Sequence, residues 1–116
     1  PPHREILKTA LGSTETVKWE YIVETTAAIT ALQQEGYKIL AVEQTTSKTW
    51  LHDFIPQPDT AYALLLGNEV DGVGEEALSQ CAGVLEIPQY GTKHSLNVAV
   101  AAGIVVWDLV QKMRAK

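Results

Sequence analysis

Residues 61–74 of the chain read AYALLLGNEVDGVG, a short apolar run followed by a loop in which three of eight residues are glycine. A run of this length is typical of a strand that is buried on both faces of a parallel sheet. A second run of the same kind, KILAV at residues 38–42, lies upstream. We predict that both are central strands of one sheet. The glycines after the first run indicate a backbone that turns tightly or approaches a ligand closely.

Helical and extended patterns alternate around these two strands, which predicts an α/β domain with a mainly parallel sheet. The polar stretch Gln44–Pro58 is expected to be a loop with one helical turn. The last helical segment is apolar almost all round as far as Trp107, so we expect the sheet or a partner chain to bury it on most sides. The expected helices are His3–Leu11 ended by Gly12, Thr25 or Thr26 to Glu35 ended by Gly36, Glu75–Cys81 and Leu96–Met113; the other expected strands are Val17–Ile22 and Val84–Ile87.

Size and composition exclude several classes of protein. With 116 residues, 46% of them hydrophobic, the chain is one globular domain at most. The longest apolar run, Val98–Trp107, is about half of the ~20 residues that a membrane-spanning helix needs. A single cysteine, Cys81, and an N-terminus without a secretion signal predict a cytoplasmic protein. The net charge of -5 disfavours non-specific nucleic-acid binding, so any such site must be local.

Ligands of parallel sheets bind beyond the carboxyl ends of the strands, which here are Glu43–Thr46, Gly67–Gly74 and Pro88–Asn97. The glycine segment has two simpler interpretations, a flexible connection and a dinucleotide fingerprint, Gly72-x-Gly74-x-x-Ala77. We regard the fingerprint match as accidental, because carboxylates at the start of the next helix would repel a pyrophosphate. An acidic glycine loop suits a cationic or polar ligand better.

The segment Ile87–Ala101 runs from a polar loop into the most apolar helix of the chain. Ser95 stands where an N-cap belongs, and capping alone would explain it. Asn97 is harder to explain, because a buried amide needs partners for all its polar atoms. This asparagine is therefore a candidate ligand-binding residue.

Two motifs in these segments resemble those of one known family. Gly67-Asn68-Glu69-x-x-Gly72, followed by Ile87-Pro88-x-x-Gly91-x-x-x-Ser95-Leu96-Asn97-Val98-x-Val100-Ala101, is similar to the second and third motifs of the SpoU/TrmH family of RNA ribose methyltransferases, in the SPOUT superfamily. The resemblance implies an α/β domain with a C-terminal trefoil knot, which is an exception to the rule against knots. It also implies a homodimer that binds S-adenosyl-L-methionine and methylates the 2′-hydroxyl of a ribose in tRNA or rRNA.

The same resemblance assigns roles to individual residues. Three would line the catalytic pocket, namely Glu69, Ser95 and Asn97. Others would hold the cofactor, largely through the backbone: Gly67, Asn68, Gly72, Ile87, Gly91 and Leu96.

The chain departs from the family pattern at two points. The first motif, Asn-x-Gly-x-x-x-Arg, has no match, so its catalytic arginine is not transferred to Arg4 or Arg114. The sequence is therefore expected to represent the C-terminal two-thirds of a longer protein. The smaller departure is Ala99, where many members carry serine.

RNA contacts are expected from a small set of basic residues, Arg4 and Lys8 on the first predicted helix and Lys93 in the last loop, unless these are scattered surface charges. The three histidines lack the spacing of metal ligands, and no metal is expected. Two other functions stay open. One is an NAD-dependent oxidoreductase built on Gly72, Gly74 and Ala77; the other is a non-catalytic dimeric module that binds the cofactor or RNA.

Overall fold

The fold is taken from a computed structural model, which describes residues 5–9, 20–23, 26–44, 48–67, 73–89 and 98–114. The strands are β1 (Glu5–Thr9), β2 (Glu20–Val23), β3 (Lys38–Val42), β4 (Thr49–Trp50), β5 (Tyr62–Leu66) and β6 (Gly83–Glu86). The helices are α1 (Thr26–Gln34), α2 (Glu75–Leu78) and α3 (Val98–Arg114), with a single 3-10 turn at Leu51–Asp53.

The six strands form one sheet in the order β2-β1-β5-β3-β6-β4. Strands β5, β3, β6 and β4 are parallel, whereas β1 is antiparallel to both of its neighbours. This arrangement confirms the predicted α/β class with a mainly parallel sheet. Val42 lies opposite Leu66 on one side and Leu85 on the other, so β3, β5 and β6 end at the same edge.

Alternate residues of the central strands pack on opposite faces of the sheet. Leu40 and Leu64 face the cluster that includes Val105 and Leu109 of α3. Their neighbours Ile39, Ala41, Ala63 and Leu65 face a second cluster that contains Ile29 and Leu32 of α1 and Ala77 of α2. Helices therefore cover both faces, and the two apolar runs identified in the sequence are the buried strands β3 and β5.

Helix α1 ends where the sequence predicts. The N–H of Tyr37 donates to the carbonyl of Leu32 at 3.0 Å, and the N–H of Gly36 donates to that of Gln33 at 3.0 Å. This pair of bonds is the Schellman motif. It requires a left-handed residue after the helix, and Gly36 has φ of 95°.

The prediction of a helix over His3–Leu11 is wrong, since residues Glu5–Thr9 form strand β1. Local preference favours a helix there because Glu, Leu, Lys and Ala are good helix formers. The tertiary structure overrides that preference: β5 is buried along its whole length and needs a hydrogen-bonding partner on both sides. Strand β1 supplies it through five paired residues, from Glu5 opposite Leu66 to Thr9 opposite Tyr62.

The other predicted helices and strands are present with different ends. The described part of β2 is Glu20–Val23, α2 is shorter than predicted, and β6 starts one residue earlier. The loop Gln44–Pro58 contains the expected helical turn, at Leu51–Asp53, together with the unpredicted strand β4, which pairs with β6. A two-residue strand is too short to give a periodic sequence signal.

Helix α3 is buried by the sheet on one side only, and burial of its other side by a partner chain stays a prediction. Ala101, Ala102, Val105 and Leu109 pack against the sheet, but the opposite side exposes three large apolar residues, Val100, Ile104 and Trp107. Within the described ranges, no helix is long and apolar enough to cross a bilayer. The loops expected to form the knot, residues 68–72 and 90–97, lie outside the described residues, so the knot stays a prediction.

Candidate functional site

The carboxyl edge of the sheet brings together residues from three strands. Glu43 follows β3, Gly67 follows β5, and Ile87 follows β6. The N–H of Glu43 donates to the carbonyl of Leu85 at 3.0 Å, which extends the β3–β6 ladder by one residue. Glu43 therefore lies between Gly67 and Ile87, two positions for which the family resemblance predicts cofactor binding.

The Glu43 side chain joins this edge to the segment that follows the glycine loop. Its Oε2 accepts a hydrogen bond from the backbone N–H of Val73 at 2.7 Å. Its Oε1 accepts one from the N–H of Gln44 at 3.0 Å. Val73 is buried among Ala77 and other residues of the cluster beneath α1. The carboxylate thus connects β3 to a residue thirty positions later in the chain.

The β6 side of the site is partly apolar and contains an unusual polar atom. Ile87 is half-buried and packs against the core cluster beneath α3. The Oε1 atom of Gln89 is buried and has no hydrogen-bond partner in the structure of the described residues. Buried acceptors are almost always paired, with protein, water or a ligand. Gln89 therefore offers an acceptor to a donor group that binds at this edge.

Strand β4 flanks the site with a cationic and an aromatic side chain. Trp50 lies opposite Glu86 in the β4–β6 ladder. The ammonium of Lys48 is 3.2 Å from the Glu86 carboxylate and 4.5 Å from the centre of the Trp50 ring. The imidazole of His52 stacks on the same tryptophan, with ring centres 6.3 Å apart. One end of the edge is thus lined by stacked rings and a paired lysine.

Helix α2, which follows the glycine loop, does not present a phosphate site. It is only four residues long, and both of its first residues, Glu75 and Glu76, are exposed acids. Negative charge there opposes a bound pyrophosphate, in agreement with the interpretation that the dinucleotide fingerprint is accidental. Beyond the helix, burial raises the pKa of the Cys81 thiol to about 11, so this thiol is protonated at neutral pH.

Of the predicted cofactor residues, Gly67 and Ile87 lie in the described residues, on either side of β3 and about 10 Å apart by the spacing of neighbouring strands. Lys8 is on strand β1 and not on a helix, and it pairs with Ala63, three residues from the carboxyl edge. Its main chain is therefore about 10 Å from that edge. The other predicted site residues lie outside the described ranges: Arg4, Asn68, Glu69, Gly72, Gly91, Lys93, Ser95, Leu96 and Asn97.

Two residues of the edge were not singled out from the sequence. Glu43 stands in a predicted ligand-binding segment, but its contact with Val73 is long-range and has no local signature. Gln89 lies within the third motif, at a position that the motif leaves unspecified. The strand ends predicted the edge at which this candidate site lies, whereas the environments of these two side chains depend on the tertiary structure.

Comparisons with known proteins agree with this architecture. The chain is 36% identical over 107 residues, 90% of its length, to the 23S rRNA (guanosine-2'-O-)-methyltransferase RlmB of a Burkholderia species. It is 28% identical over 90% of its length to the tRNA (guanosine(18)-2'-O)-methyltransferase of Borreliella burgdorferi. The crystal structure of the A. aeolicus TrmH/SpoU tRNA modifying enzyme superposes on 81% of the chain with a TM-score of 0.67 at 24% identity, which supports the fold.

The chain spans less than half of each of these proteins, namely 41% of the Burkholderia enzyme, 47% of the Borreliella enzyme and 47% of the A. aeolicus chain. Residues 1–107 match the sequence model of the SpoU rRNA Methylase family. The match includes both motifs identified in the sequence and the strands that carry Glu43, Gly67 and Ile87. The chain belongs to the SpoU rRNA Methylase family.

Proposed function

We propose that this chain is part of a methyltransferase that uses S-adenosyl-L-methionine to methylate the 2′-hydroxyl of a ribose in tRNA or rRNA. The observation that carries the proposal is the family match over residues 1–107. Gly67 and Ile87, with which the two motifs begin, follow strands β5 and β6 at the carboxyl edge of the sheet. The names of the relatives support it, since they are ribose methyltransferases of rRNA and of tRNA.

The residues at this edge suit the cofactor. Gly67 follows the buried strand β5. Because glycine has no side chain, its backbone is accessible to a ligand. Ile87 offers an apolar surface, and the buried Oε1 of Gln89 offers an unpaired acceptor to an amino or hydroxyl group. We propose that these residues hold the cofactor together with Asn68, Gly72, Gly91 and Leu96.

The main task of the chain in this reaction is alignment. S-adenosyl-L-methionine, when bound, supplies an electrophilic methyl group on a positively charged sulfur. The ribose hydroxyl must lie in line with that methyl group, and holding two reactants in such geometry lowers the barrier most. We propose that Ser95 and Asn97 hydrogen-bond around the ribose, and that Glu69 orients the arginine of the family's first motif, which no residue of this sequence matches. The hydroxyl proton must also be accepted as the new bond forms.

A thermal unfolding scan tests the proposed cofactor. The protein is heated with S-adenosylhomocysteine and, in parallel, with NAD. A ligand at 100 times its dissociation constant adds about 2.7 kcal/mol to the free energy of unfolding, which should raise the midpoint on the order of 10 °C. We expect protection by S-adenosylhomocysteine alone. Protection by NAD alone would favour the oxidoreductase instead.

The proposed catalytic residues are tested by turnover in a full-length form. Glu69→Ala and Asn97→Ala should each lower turnover by about 100-fold or more, the range seen when a group that acts in the transition state is removed. Glu76→Ala, an exposed acid on α2, serves as the control and should leave turnover unchanged. Full turnover in Glu69→Ala and Asn97→Ala would contradict these roles, whereas a full-length protein without any turnover would favour the non-catalytic module.

We propose that RNA approaches the carboxyl edge and that Arg4, Lys8 and Lys93 contribute to its binding. With a net charge of -5, the chain depends on such local positive charge to hold phosphates. We also propose a cytoplasmic location, which suits a protein that acts on tRNA or rRNA and carries a single cysteine thiol.

We propose that the protein is a homodimer joined through α3. The exposed residues Val100, Ile104 and Trp107 form a stripe along the helix face that points away from the sheet. A shallow groove of about 450 Å³ lies along the same face, beside Gly103, where an added Cβ would meet no atom within 4 Å. A protruding tryptophan next to a groove on one surface is self-complementary, which is what a two-fold interface requires. The partner is therefore a second copy of this chain.

A further inference from the structure

The side chain of Glu43 makes hydrogen bonds that the folding of strand β3 does not require. Its backbone N–H already continues the sheet ladder to Leu85. Its side chain then turns along the edge and accepts hydrogen bonds from two backbone N–H groups, those of Gln44 and Val73. Bonds from N–H groups to an ionised carboxylate are shorter and stronger than bonds between neutral groups.

The bond to Val73 fixes one end of the proposed cofactor loop. The loop begins at Gly67, whose predecessor Leu66 is held in the ladder opposite Val42. It ends at Val73, which is 5% exposed and whose N–H is bound by Glu43 at 2.7 Å. The main chain of β3 thus holds Leu66, the residue before Gly67, and the side chain of Glu43, the residue after β3, holds Val73.

We propose that Glu43 is a positioning residue for cofactor binding, which it serves by holding the backbone of Val73 at the carboxyl edge of the sheet. The inference rests on the proposed function, because it assumes that this edge binds S-adenosyl-L-methionine. Glu43 acts through the backbone of Val73. Its essential property is an acceptor oxygen within reach of the Val73 N–H, and the negative charge alone is not sufficient.

This requirement predicts how substitutions at position 43 differ. Glu43→Gln keeps one acceptor oxygen at the same distance from the backbone. Glu43→Asp keeps the charge but shortens the side chain by one methylene group. Glu43→Ala removes the acceptor altogether. Glu86→Gln is a matched control, because Glu86 is the last residue of the neighbouring strand β6 and its carboxylate pairs with Lys48 and not with Val73.

Isothermal titration calorimetry with S-adenosylhomocysteine tests the proposal on the 116-residue protein. We expect Glu43→Ala and Glu43→Asp to weaken binding about tenfold or more, the effect of losing one hydrogen bond to a charged group. Glu43→Gln should stay within about threefold of wild type, as should Glu86→Gln. S-adenosylhomocysteine lacks the sulfonium charge, so the comparison is insensitive to simple attraction between carboxylates and that charge.

Hydrogen exchange of the backbone amides provides the second readout. Loss of the Glu43 bond should speed exchange at Val73 in Glu43→Ala and Glu43→Asp, while core amides such as that of Leu64 keep their protection. If Glu43→Ala fails to fold, Glu43→Asp is compared with wild type and Glu43→Gln instead.

The outcomes separate the two proposals. Wild-type protein that does not bind S-adenosylhomocysteine overturns the proposed function, and the role of Glu43 in cofactor binding with it. Wild-type binding that is unchanged in Glu43→Ala and Glu43→Asp overturns the role of Glu43 alone. Equal weakening in Glu43→Gln and Glu86→Gln also overturns it, because the charge of the edge would then explain the effect.

Discussion

At the scale of single residues, backbone conformation decides which glycine is required. Gly36 and Gly83 both have room for a Cβ, since the nearest atom to one added at Gly83 is Leu40 Cδ2 at an ordinary 3.5 Å, and one added at Gly36 meets nothing within 4 Å. They differ in φ, which is 95° at Gly36 and outside the left-handed region at Gly83. The space around an added Cβ would therefore predict that Gly36 tolerates alanine better than Gly83, whereas the backbone conformation predicts the opposite.

We predict that Gly36→Ala lowers the free energy of unfolding by about 1–2 kcal/mol, the cost of placing an L-residue in a left-handed conformation. Gly83→Ala should change it by less than about 0.5 kcal/mol. Urea denaturation of both variants measures the difference. Equal effects at the two positions would show that the Schellman motif at the end of α1 does not depend on glycine.

At the scale of elements, Lys112 connects α3 to the 3-10 turn that follows β4. Its ammonium donates to the carbonyl of Leu51 at 2.6 Å and to that of Phe54 at 2.8 Å, and it pairs with Asp108 one helical turn earlier. The Leu51 carbonyl opens the turn and also accepts the N–H of Phe54 at 3.1 Å, and Phe54 follows the turn. One lysine thus positions an irregular loop on a long helix.

We predict that Lys112→Met destabilises the protein by about 1.5–3 kcal/mol, because hydrogen bonds to a charged group are lost while the aliphatic stem is kept. The control is Lys38→Met, where the exposed ammonium donates a hydrogen bond to the side chain of Gln57 within the described part of the chain. That change should stay within about 0.5 kcal/mol. Chemical denaturation of the two variants distinguishes the two lysines, and equal losses would argue against the anchoring role.

At the scale of the whole molecule, α3 has one face on the sheet and an opposite apolar face that is exposed among the described residues. Trp107 is 66% exposed, in contrast to Val105 and Leu109, which are fully buried. An exposed apolar stripe of this kind marks an interaction site in most proteins. As far as Trp107 the helix is apolar almost all round, because in the proposed dimer the sheet buries one face and the second copy buries the other.

We predict that Trp107→Glu converts the dimer to a monomer, because a charge would be buried in the proposed interface. Ile55→Glu is the matched control, since Ile55 is 77% exposed and lies outside α3. Light scattering after size-exclusion chromatography should give the mass of a dimer for wild type and Ile55→Glu, and that of a monomer for Trp107→Glu. A monomeric wild type would rule out the proposed interface.

The sequence by itself determined the features that depend on local pattern. The runs at residues 38–42 and 61–66 predicted the central strands, because a short strand that is buried on both faces is apolar without alternation. Gly36 predicted the end of α1 because its conformation is set by neighbouring residues, and the strand ends predicted the edge at which the candidate site lies. The two motifs predicted the family, because they specify residue types at fixed spacing.

Only the tertiary structure decided the features that depend on distant partners. Residues 5–9 form a strand because β5 needs a second neighbour, although their local preference is helical. The exposed face of α3 follows from where the sheet lies, and the bond from Glu43 to Val73 joins residues thirty positions apart. The physical reason is common to all three: hydrogen-bond satisfaction and burial are properties of the assembled chain, so no window of sequence contains them.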